Sequence, residues 1–152
     1  MNTPKLLAIQ SSRRAVGVAV FTDTRLEFVQ VRHLASSHTK AEDTAVEFIQ
    51  WVLSRFEIDH AALEQLADAS KTRRAELGRI IVRVLREEAI PIWNVRAEEM
   101  FSAFGIPPVK TREDVRHVAI GFWPILKYEH DNAATEAAAI GIYVQTERLF
   151  QH

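Results

Sequence analysis

The sequence predicts an α/β domain built on a mixed sheet, and three observations carry that prediction. Apolar segments joined by short polar turns open the chain, helical and extended patterns then alternate, and an alanine-rich helical stretch closes it. Leu6, Leu7, Ala8 and Ile9 form a continuous apolar run, so residues 5–10 read as a buried strand ending at Gln10. After the polar turn Ser11-Ser12-Arg13-Arg14, residues 15–21 alternate, with Val16, Val18 and Val20 on one face and Gly17 and Ala19 on the other. A second turn, Thr22 to Arg25, leads to a third strand through Leu26, Phe28, Val29 and Val31. Short turns make these three strands an antiparallel meander.

From about Thr39 the period changes. Ala41, Ala45, Phe48, Ile49, Val52, Leu53 and Phe56 recur at helical spacing. A short strand follows over residues 61–66 and carries Glu64. A charged loop then precedes a second helix that turns Leu77, Ile80, Ile81, Val84 and Leu85 inward. Residues 90–95 are a fifth strand, whose Pro91 suits an edge. A short helix over 96–104 is stopped by Gly105, Pro107 and Pro108. Thr111 is placed to cap a helix presenting Val115, Val118, Ile120 and Phe122. Asp131 caps the last helix, where Ala133, Ala134, Ala137, Ala138 and Gly141 permit close packing against a neighbour. The order is β-β-β-α-β-α-β-α-α-α, with no repeat or linker, so residues 1–152 read as one domain.

Composition narrows the function. The chain has 152 residues, 47% of them hydrophobic and 26% charged, which suits a globular domain with a real core. No apolar run approaches the ~20 residues that a spanning helix needs. No basic segment followed by a long apolar core opens the chain, so cytoplasmic residence is expected. The absence of cysteine excludes disulfides, thiolate-bound zinc and cysteine nucleophiles. The six histidines lack the spacing of a zinc motif. With 19 basic and 20 acidic residues, any grip on nucleic acid must come from local clustering.

Four stretches carry a family resemblance. They are the strand-turn-strand from Leu7 to Val20, the fourth strand from Phe56 to Leu66 with Glu64, the polar helix entry from Lys110 to Val118, and the helix opening from Asp131 to Ile140. Together, in this order and spacing, they resemble the RuvC family of bacterial Holliday-junction resolvases, which have a ribonuclease H-like fold. The resemblance covers roughly Leu6 to Leu149. It implies a site where two Mg²⁺ ions, held by four acids, activate water and steady the leaving oxygen in phosphodiester cleavage.

Carried over residue by residue, the four acids fall on Gln10, Glu64, Asp131 and Ala134, so only Glu64 and Asp131 are retained. Gln10 offers a neutral carbonyl oxygen and Ala134 offers nothing. Weak Mg²⁺ binding through Glu64 and Asp131 and impaired cleavage are the expectation. His130, Thr135 and Glu136 are close in sequence, but Glu136, five residues beyond Asp131, is expected on another helix face. The residues by themselves also allow plainer roles. Asp131 can be a helix N-cap, Glu64 an exposed strand end and Gln10 an ordinary polar terminus.

Lys71, Arg73, Arg74, Arg79, Arg83 and Arg86 form the most basic stretch, and Arg13 and Arg14 add charge beside the first strand. Arg79, Arg83 and Arg86 line one helix face. The resemblance implies phosphate binding here, near a dimer interface, whereas Glu76, Glu87 and Glu88 could pair with these arginines on a solvated face. The tryptophans read as core, and Phe122-Trp123-Pro124-Ile125 as core or a contact surface, with core the preferred reading. The expectation is therefore a catalytically impaired, homodimeric nucleic-acid-binding domain acting on branched DNA. The alternatives are an active Mg²⁺-dependent endodeoxyribonuclease and a protein-interaction module. A basic groove beside Glu64 and Asp131 favours nucleic acid.

Overall fold

A computed structural model describes residues 4–65, 71–104, 112–128 and 132–150. Its elements are β1 (Lys5–Ser11), β2 (Ala15–Thr22), β3 (Arg25–His33), α1 (His38–Arg55), β4 (His60–Glu64), α2 (Arg73–Glu87), β5 (Ile92–Val95), α3 (Ala97–Ala103), α4 (Arg112–Phe122), a 3-10 segment (Pro124–Tyr128) and α5 (Asn132–Phe150). This is the element order expected from periodicity, with the 3-10 segment added after Pro124. The expected stop at Gly105 to Pro108 and the caps at Thr111 and Asp131 lie outside the described residues.

The sheet has the strand order β3-β2-β1-β4-β5, with β1 at its centre. β1 pairs antiparallel with β2, and β2 antiparallel with β3, as the short turns require. β4 runs parallel to both β1 and β5, because each helical crossover brings the chain back to the same end of the strands. β5 is an edge strand, which accommodates Pro91 just before it.

Strand alternation divides the core between two faces. Leu7, Ile9, Val16, Val18, Val20, Ala61 and Leu63 meet the buried stripes of α1 and α2 on one face. Leu6, Ala8, Ala19, Phe21 and Ala62 meet α3, α4 and α5 on the other. α5 can lie close because the residues between it and the sheet are small. A Cβ on Gly17 of β2 would stand 2.3 Å from the carbonyl carbon and oxygen of Ala133, and one on Gly141 would enter the Phe21 ring. The neighbour anticipated for the alanine-rich helix is the sheet itself.

The run at residues 122–125 departs from the preferred core reading. Trp123 packs against the core and Leu126 is buried, but Phe122 is 62% exposed and Ile125 66% exposed. Pro124 ends the regular helix and starts a tighter turn, so side chains that would share one α-helical stripe diverge. Trp51 is also partly exposed, stacked on Phe48 and tilted against Phe28.

Candidate functional site

The register brings Gln10 and Glu64 together. Ile9 of β1 pairs with Leu63 of β4, so Gln10 and Glu64 are the next residues on adjacent parallel strands. Alternation sends both side chains to the α5 face, the side of Ala8 and Ala62 rather than of Ile9 and Leu63. Gln10 pairs across to Gly17, where the start of α5 touches the sheet through Ala133 and Ala134. Gln10, Glu64 and Ala134 are buried at 4%, 8% and 0% exposure. Asp131, the remaining predicted acid, lies outside the described residues.

Glu64 is not an exposed strand end. Arg112, the first residue of α4, donates from Nη2 to both of its carboxylate oxygens, at 2.9 and 3.0 Å. Arg74, near the start of α2, makes a second ion pair with the same carboxylate. Arg74 reaches it around the end of β1, with Nε donating to the Ser11 carbonyl at 2.8 Å while Ser11 Oγ donates to the Arg74 carbonyl at 3.1 Å. Arg112 also pairs with Glu136 of α5 at 3.4 Å. Glu136, expected on another face, is thus buried within the site.

The result is a chain of alternating charge, Arg74–Glu64–Arg112–Glu136, that ties β4 to the N-terminal parts of α2, α4 and α5. Each carboxylate has a cation, which offsets the cost of burying it. Burial and the neighbouring Arg112 cation pull the Arg74 guanidinium down to about 10, while Glu136 pulls the other way. It therefore stays charged near neutral pH.

These residues do not fit a pair of divalent ions. Such ions need several anionic oxygens with free lone pairs. Both Glu64 oxygens already accept from guanidinium groups, Gln10 is neutral and Ala134 has no donor. Among the described residues there is no group of three or more acids or histidines able to hold a metal.

Beside this cluster runs a groove of about 660 Å³, floored by Leu63, Ala75, Gly78 and Val82 and flanked by Arg79, Arg83 and Arg86. Glu64, Gln65 and Asn94 of β5 also line it. Glu76 pairs with Arg73, and among the described residues Arg83 and Arg86 make no ion pair. Glu87 does line the groove and lessens its positive charge.

The other predicted contacts disperse. Arg73 points to α1, bonding Glu42 and His38. Arg74, half-buried, turns towards Glu64 and is paired with it. Arg13 and Arg14 are exposed in the β1–β2 turn and Lys71 is exposed before α2. Helical spacing from Asp131 points Glu136 to another face, and periodicity gives no sign of Arg112 at the site, because both depend on where α4 lies beside α5. The only sequence signal was the presence of Arg112 in the polar stretch after Lys110.

The sheet order and flanking helices define a ribonuclease H-like fold of the RuvC type. Thermus thermophilus RuvC superposes with a TM-score of 0.77 at 14% identity, over 96% of each chain. The T. thermophilus RuvC complex with Holliday junction substrate gives 0.77 at 15% identity, again over 96% of each. The yeast mitochondrial Holliday junction resolvase Ydc2 gives 0.65 at 12% identity, over 98% of this chain and 83% of that one. No family model matches the chain, and no curated relative matches it in sequence.

Proposed function

We propose that this chain is a RuvC-like nucleic-acid-binding domain, impaired in metal-dependent cleavage, that engages branched DNA through the α2 groove. The observation that carries the reading is the groove itself, in which Arg79, Arg83 and Arg86 line one side next to Glu64. Arginines spaced along a concave wall suit a phosphate backbone, which they neutralise at successive positions. A fold shared with a structure solved on a Holliday junction makes a four-way junction the first ligand to try. We further read the chain as a cytoplasmic homodimer, with the exposed Phe122 and Ile125 as a candidate apolar contact.

The test is binding and cleavage of a synthetic four-way junction, with Mg²⁺ or Mn²⁺, by the parent chain and an Arg83→Glu/Arg86→Glu variant. Binding without cleavage, lost in the variant, is the expected result. Cleavage abolished by Glu64→Gln would establish the active endonuclease instead. No binding and no cleavage would favour a protein-interaction module. Light scattering of the parent and a Phe122→Ser variant checks the dimer.

A further inference from the structure

The buried charges at the end of the sheet balance one another from within the chain. Among the described residues, two guanidinium groups, Arg74 and Arg112, meet two carboxylates, Glu64 and Glu136, so their charges balance. A pair of dications needs far more negative charge than that. It would also have to take the Glu64 oxygens from Arg112 and Arg74, and each ion would then sit in contact with two cations.

We infer that Arg74 and Arg112 replace a divalent metal pair, supplying from the chain itself the positive charge around Glu64. Two features make the replacement built-in. Arg74 is pinned by its reciprocal bonds with Ser11, so it cannot swing out without breaking contacts to β1. Arg112 starts α4 and bridges Glu64 to Glu136, so displacing it would strip Glu136 of its cation and leave Glu64 with Arg74 alone. Arg112 keeps a partly exposed side chain, 38% accessible, through which the cluster presents a guanidinium to solvent. It follows, resting on the nucleic-acid reading above, that this chain holds DNA without a metal ion.

The experiment is a titration of the protein alone with Mn²⁺, following the free-ion signal by electron paramagnetic resonance. It is paired with junction affinity measured in EDTA and in Mg²⁺. The expected result is no specific Mn²⁺ site up to millimolar metal, an unchanged melting temperature on adding Mg²⁺, and junction affinity equal within about twofold in both buffers. Stoichiometric Mn²⁺ binding that disappears in Glu64→Gln would overturn the inference. Should that variant fail to fold, stoichiometric binding by the parent, with a rise in its melting temperature, overturns it equally. Junction binding that requires Mg²⁺ would overturn the DNA half. Absence of both Mn²⁺ and junction binding would uphold the charge replacement and sink the nucleic-acid reading, so the two failures are distinct.

Discussion

Arg112 Nη2 lies 2.9 and 3.0 Å from the two carboxylate oxygens of Glu64, joining residues 48 positions apart in sequence. This bond makes β4 and α4 depend on each other. Removing one partner of a buried ion pair costs roughly 3–5 kcal/mol, because the other charge is left uncompensated. Arg112 is more than a third exposed, so solvent takes up part of that loss. Glu64→Gln should therefore cost about 2 kcal/mol in urea unfolding. Arg112→Gln should cost a similar amount, and the double variant less than the sum. Strict additivity would show that the two residues act independently.

The groove makes a separate prediction about salt. Each phosphate neutralised contributes about 0.9 to the slope of log affinity against log salt. Arg83→Gln/Arg86→Gln should lower that slope for a four-way junction by up to roughly 2, without changing the unfolding midpoint, since both residues are exposed. Weaker binding with an unchanged slope would place the phosphate contacts elsewhere.

Two glycines should respond in opposite ways to alanine. At Gly17 the new Cβ would overlap the Ala133 backbone, forcing α5 off the sheet at the point where Gln10, Glu64 and Ala134 converge. Overpacking of this kind costs about 3 kcal/mol, and more where backbone must move. At Gly78, inside α2, the Cβ would meet only Ser11 Oγ at an ordinary 3.7 Å. There the helix should gain about 0.5–1 kcal/mol. Thermal unfolding of both variants tests the pair, and a tolerated Gly17→Ala would refute the close α5 contact.

Tyr143 gives a pH signature. Burial raises its phenol above the ordinary value, with Glu147 and Glu99 adding repulsion to the phenolate. The folded state then keeps the proton longer than the unfolded chain does, so stability falls as pH climbs from the ordinary phenol value towards the raised one. Ultraviolet titration should show a late-ionising phenol that vanishes in Tyr143→Phe. The variant should also lose stability less steeply above about pH 10.

The elements were legible because each is written locally. Alternation in Val16, Val18 and Val20 and helical spacing from Ala41 to Val52 both appear in the structure as buried faces. The grouping of Gln10, Glu64 and Ala134 is what the resemblance to the RuvC family implies, and the strand order sets Gln10 and Glu64 at adjacent strand ends. The stripe of Arg79, Arg83 and Arg86 was readable for the same reason, being set by helical period alone.

What only the tertiary structure decided is which charges meet. Arg74 and Arg73 are neighbours in sequence, yet one pairs with Glu64 and the other bonds Glu42 and His38 of α1. Arg112 and Glu136 belong to helices whose approach depends on how α4 packs beside α5 over the sheet. Periodicity determines which face of an element is apolar, but the partner of a buried charge depends on interhelical placement to within a few ångströms. That placement follows from close packing across the core, where Gly17 lets α5 settle directly onto β2.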